Sequence, residues 1–214
     1  LKASAQVDDF RVLCADARAY GFKMVAINSA PVKLCKELLQ GCDVHVGAAI
    51  GFPLGQTSIK AKRFETVEAL ENGADEIDYV VNLTQLKDGN SVYVEQEMRE
   101  IVEVCKAHGA ISKVIFENCY LTDDEKKKLC EIALKVRPDF IKTSTGFGSG
   151  GATLSDIKLM KAMVGDNLKV KASGGVRTLE MGLELVDLGV ERIGYSSSEG
   201  IVDTYRRFCQ SSQG

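Results

Sequence analysis

Two lysines define the chemistry open to this sequence. Lys142 lies in Asp139-Phe140-Ile141-Lys142-Thr143-Ser144-Thr145-Gly146, and Lys171 lies in Leu168-Lys169-Val170-Lys171-Ala172-Ser173-Gly174-Gly175. Each segment is a short apolar run with a lysine near its end, followed by small residues and glycine. About 29 residues separate the two lysines, a length that suits one strand-helix-strand unit. An amine attacks a carbonyl only when it is neutral. A free lysine has a pKa of about 10.4, so a Schiff-base lysine must fall toward about 7. Neighbouring strands lie about 4.8 Å apart. Two ammonium groups about 6 Å apart, at an effective dielectric near 20, repel by about 2.8 kcal/mol, or about 2 pKa units. Burial could supply the remainder. The same spacing fits two lysines snorkelling to water, and it does not choose between the two readings. Lys169 shares the strand parity of Lys171, so facing inward does not by itself make a lysine catalytic.

A carboxylate joins them. In Glu76-Ile77-Asp78-Tyr79-Val80-Val81, alternation puts Asp78 on the face of Val80, opposite Ile77 and Tyr79. That directs Asp78 inward, where it could shuttle protons or form a structural ion pair with a lysine. Asp75 and Glu76, at the start of the strand, are expected to be solvated. Ser173-Gly174-Gly175-Val176-Arg177 and Gly194-Tyr195-Ser196-Ser197-Ser198 follow the last two strands. Glycine lets backbone N–H groups approach an anion, and serine hydroxyls add donors, so these loops read as a phosphate cradle or as ordinary turns. His45 reads as a core or bottom-face residue, His108 as a helix C-cap, and Lys126-Lys127-Lys128 as an exposed helix face.

The elements that must position these groups alternate along the chain. Short apolar strands centre near 25, 47, 78, 115, 141, 170 and 193, roughly 22 to 37 residues apart, with amphipathic helices between them. Ser29 is expected to cap the helix that begins near Pro31. Thr122 with Glu125, and Thr153 with Asp156, are expected to form capping boxes. Alternating strands and helices imply a parallel sheet covered by helices. The dinucleotide fingerprint is absent after the first strand, and polar residues gather at the C-terminal ends of many strands. Both favour a (β/α)8 TIM barrel over an open doubly wound sheet. Seven strands are countable, and the eighth is expected upstream of Leu1. The 214 residues suit one barrel domain, 1–214.

The net charge of −3 offers no basic field for nucleic acid or an anionic membrane. The seven cysteines are odd in number and irregular in spacing, which suits free thiols in a reducing compartment. With only two histidines beside them, no zinc site is expected. No signal peptide and no membrane-spanning stretch are expected, and a cytoplasmic protein is expected with them.

The motifs Glu76-Ile77-Asp78, Lys113-Val114-Ile115-Phe116-Glu117, Phe140 to Gly146, Lys171 to Arg177 and Arg192-Ile193-Gly194 together resemble the deoxyribose-phosphate aldolases over nearly the full length. The resemblance implies a metal-free class I enzyme that needs no cofactor. Such an enzyme cleaves 2-deoxy-D-ribose 5-phosphate to D-glyceraldehyde 3-phosphate and acetaldehyde, and works as a homodimer or homotetramer. It assigns Lys142 as the Schiff-base nucleophile, Lys171 as the neighbour that lowers its pKa, and Asp78 as the proton-relay acid/base. Gly146, Gly174, Gly175, Gly194, Ser196 and Ser197 match the phosphate-binding positions. The sequence departs from the family where Tyr195 and Ser198 replace a commoner smaller residue and glycine, and where Gln210 to Gly214 offers no tyrosine. Another Schiff-base sugar-phosphate aldolase, a transaldolase, or a non-catalytic phosphate-binding barrel are the alternatives.

Overall fold

The structure, a computed structural model, describes residues 1–196 and 198–211. Strand and helix alternate as the hydrophobic periods require. The strands are β1 (Met24–Asn28), β2 (His45–Ile50), β3 (Glu76–Val80), β4 (Ile111–Ile115), β5 (Phe140–Lys142), β6 (Lys169–Ser173) and β7 (Arg192–Gly194). They pair in parallel, each with the next, in the order β1-β2-β3-β4-β5-β6-β7. The helices are α1 (Val7–Tyr20), α2 (Val32–Leu38), α3 (Ile59–Glu71), α4 (Leu83–Lys87), α5 (Ser91–Ala107), α6 (Asp123–Val136), α7 (Leu154–Val164), α8 (Leu179–Asp187) and α9 (Ser198–Ser211).

The sheet curls into a barrel wall. In a flat sheet β1 and β7 would stand roughly 29 Å apart, yet Arg192 on β7 brings Nη1 to 4.0 Å from Met24 Sδ on β1 and 3.4 Å from Glu76 Oε2 on β3. These contacts cross the interior. An eighth strand is not among the described residues. Alternation then sorts side chains into two layers. Ile77, Tyr79, Val114, Phe116, Ile141, Val170 and Ala172 face outward and form the apolar core against the helices. Glu76, Asp78, Lys113, Lys142, Lys171 and Arg192 face inward, so the lumen is charged.

The capping expectations held in part. Thr122 Oγ1 accepts from Glu125 N while Thr122 N donates to the Glu125 carboxylate, a complete box. Thr153 Oγ1 accepts from Asp156 N, but the Asp156 carboxylate takes Lys126 Nζ at 2.6 Å instead of closing the box. Lys126 is therefore buried at 8 % exposure and not on a solvated helix face. Its aliphatic stem turns toward α7, where a carboxylate waits. Ser29 does not cap α2: Pro31 holds the N-cap position, and Ser29 Oγ donates to Glu65. His108 is the C-cap of α5, as expected.

A candidate active site in the barrel mouth

Register decides the geometry. Lys142 and Lys171 are direct cross-strand partners on β5 and β6, with Cβ vectors on the same face. Asp78 reaches them across the lumen from β3. Its Oδ2 accepts from Lys142 Nζ at 2.7 Å and from Lys171 Nζ at 2.8 Å. Its Oδ1 accepts from Lys113 Nζ at 2.5 Å. All four side chains are buried.

Charge is out of balance here. Asp78 and Glu76 are two anions among four cations, Lys113, Lys142, Lys171 and Arg192. Burial works against the Asp78 carboxylate, but the lysines outweigh it and hold its pKa well below the ordinary value. The excess falls on an amine. Burial, opposed by Asp78 and assisted by the Lys142 and Lys113 ammonium groups, pushes Lys171 down to about 7. The arrangement therefore presents Lys171 partly neutral near pH 7, beside Lys142 on the same carboxylate oxygen. Lys169 lies exposed at the opposite end of β6, its Nζ over the Phe140 ring at 5.5 Å.

The glycines lie in the loops above. Gly146, Gly174 and Gly175 have φ of +88°, +78° and +74°, left-handed values that favour glycine. A Cβ on Gly151 would lie 2.2 Å from Gly174 O, so the β5 and β6 loops touch backbone to backbone. Gly194 ends β7 beside Ser173, where a Cβ would meet the Ser173 Cβ at 3.0 Å. Ser196 lines a cleft of about 300 Å³ with Val176, Arg177, Tyr195 and Ile201, just before the N-terminus of α9. Ser197 lies outside the described residues.

A family model for DeoC/LacD family aldolases matches residues 1–196. The chain belongs to the DeoC/LacD aldolase family. It is 56% identical over 197 residues to the deoxyribose-phosphate aldolase of Lactobacillus acidophilus, covering 92% of this chain and 83% of that one. It is 49% identical over 206 residues to that of Bacteroides thetaiotaomicron, covering 96% and 87%. Among solved structures, it matches a putative deoxyribose-phosphate aldolase from Coccidioides immitis with TM-score 0.93 at 38% identity, covering 96% of this chain and 81% of that one. The tetrameric deoxyribose phosphate aldolase of Aeropyrum pernix matches with TM-score 0.89 at 29% identity, covering 96% and 86%.

Three groups in this DeoC/LacD aldolase exceed what sequence reasoning placed. Lys113 has no role in the sequence reading; it lies in the middle of β4, facing Asp78. Glu76 is not solvated: it is fully buried, bonded to Lys113, Arg192 and His45. Parity was the available signal, since Glu76 shares the face of Asp78. Glu117 follows β4 with φ of +57° and takes both Thr145 N, at 3.1 Å, and Thr145 Oγ1. It thereby holds the loop that carries Gly146, and a non-glycine residue in that backbone region is the kind of strain that marks functional sites.

Proposed function

We propose that this chain is a class I aldolase that cleaves 2-deoxy-D-ribose 5-phosphate to D-glyceraldehyde 3-phosphate and acetaldehyde through a Schiff base on Lys142. One observation carries the reading: two buried amines share one carboxylate oxygen in a lumen with more cations than anions. Family membership supports the substrate.

In the reaction, neutral Lys142 Nζ adds to the C1 aldehyde, and the carbinolamine loses water to give the protonated imine. A base removes the proton from the C3 hydroxyl. The C2–C3 bond breaks, its electron pair passes into the iminium, and glyceraldehyde 3-phosphate leaves. The enamine is protonated at C2, water adds to the imine, and acetaldehyde is released. Lys171, pushed down to about 7, can take a proton from Lys142 and return one to the carbinolamine. Asp78, bonded to both amines, carries protons between them and bound water. Gly146, Gly174, Gly175, Gly194, Ser196 and Ser197 hold the 5-phosphate at the far end of the substrate. The N-terminus of α9 and the Arg177 cleft favour an anion there. The enzyme works in the cytoplasm as a homodimer or homotetramer. The tetramer of the Aeropyrum pernix relative supports an oligomer.

Acetaldehyde followed by borohydride is expected to leave an ethyl group on Lys142, located by mass spectrometry of peptides. An adduct on Lys171 instead would exchange the two roles. No adduct on either lysine in turning-over protein would overturn the reading.

A further inference from the structure

Glu76 lies beneath the reacting groups and touches none of them. Its carboxylate is fully buried and is met from three strands. Lys113 on β4 donates to Oε2 at 2.5 Å, Arg192 on β7 lies 3.4 Å from the same oxygen, and His45 on β2 brings Nδ1 to 2.6 Å from Oε1. His45 in turn has Lys23 Nζ 3.3 Å from its Nε2, and β1 offers only the Met24 thioether to Lys113 and Arg192. On its own strand, Asp78 is the one other acid facing inward, and Lys113 Nζ sits between the two carboxylates at 2.5 Å from each.

We propose that Glu76, acting through Lys113, is a positioning residue for the aldol reaction: it holds Lys113 on one oxygen of Asp78 and so reserves the other oxygen for Lys142 and Lys171. This rests on the Schiff-base reading above. The argument is geometric and electrostatic. A buried ammonium needs a counter-charge. With Glu76 present, Lys113 has one that is not Asp78. Without it, three lysines compete for a single carboxylate, and the lumen holds four cations against one anion. Lys113 would then draw Asp78 away from the amine pair, and the uncompensated field would disfavour every remaining ammonium. Glu76 itself is held below the ordinary glutamate value: burial opposes its charge, and Lys113 followed by Arg192 outweighs burial. It is therefore an anion throughout the working range.

The direction of the effect separates this role from scaffolding. Removing an anion near an amine destabilises its protonated form and lowers its pKa, and removing a cation does the reverse. The test follows adduct formation on the reactive lysine with acetaldehyde and cyanoborohydride as a function of pH, in the wild type, E76Q, K113M and E76Q/K113M. For E76Q the half-point is expected to move to lower pH by about 1 unit. For K113M it is expected to move up by a similar amount, and the double variant should match K113M to within about 0.3 unit, because Glu76 acts through Lys113. Shifts of the same sign in both single variants, or no shift in either while the proteins remain folded, would overturn the proposal. Should E76Q fail to fold, the comparison of K113M with the double variant decides, and a half-point in the double variant that falls back toward wild type overturns it, since Glu76 would then act without Lys113. The wild-type adduct is measured in the same series. A missing adduct counts against the Schiff base, whereas an unshifted half-point counts against Glu76 alone.

Discussion

Lys171 is the residue whose protonation the lumen contests most openly. Its folded pKa of about 7 lies below the ordinary lysine value of 10.5. The unfolded chain therefore binds the extra proton between those two values. The cost to folding is complete below about pH 7 and disappears as pH rises toward 10.5. Lys171→Met removes both the cost and the proton acceptor. Its activity is expected to fall on the order of 10²- to 10⁴-fold. Its melting temperature should match or exceed that of the wild type at pH 7, and its stability should lose the rise with pH between neutrality and pH 10. A melting temperature well below wild type would show that the amine is held for stability and not for chemistry.

At the scale of elements, two contacts separate fold from function. Thr122 caps α6 with a complete box among exposed groups, so Thr122→Ala is expected to cost about 1 kcal/mol in denaturant unfolding and to leave kcat/KM unchanged. Gly151 is different. Because a Cβ there would meet Gly174 O at 2.2 Å, Gly151→Ala must part the β5 and β6 loops. It is expected to raise KM for the phosphorylated substrate on the order of tenfold to a hundredfold, and to spare turnover of unphosphorylated deoxyribose. Equal losses on both substrates would remove the loop contact from phosphate recognition. The strand count, the parity of Asp78 and the pairing of Lys142 with Lys171 were legible in the sequence because each follows from local period and spacing. Glu76 and Lys126 were not. Their partners come from other elements, Lys113 and Arg192 for the one and Asp156 for the other, and a charged residue reads as solvated until such a partner is known. The same holds for Lys113, whose partners Glu76 and Asp78 come from β3.

For the whole molecule, the charged lumen makes acid a probe of integrity. Asp78 is held well below the ordinary aspartate value of 3.8, which an unfolded chain would show. Its contribution to stability is thus complete above about pH 4 and is lost as pH falls toward the folded value. Asp78→Asn is expected to lower stability by about 3 to 5 kcal/mol at pH 7, since it leaves the buried Lys142 and Lys171 amines without a carboxylate, and to flatten the acid limb of the stability curve. Urea titrations between pH 3 and pH 7 would measure both; an unchanged acid limb would assign acid sensitivity to other carboxylates. A last consequence comes from Arg192. The strand that bears it is only three residues long, yet its guanidinium is anchored to β3 on the other side of the barrel. That strand cannot peel off without pulling a charge out of the cluster beneath the amines. Amide deuterium uptake in β7 and the loss of imine-forming capacity should therefore rise together on warming, as one cooperative event with a single midpoint.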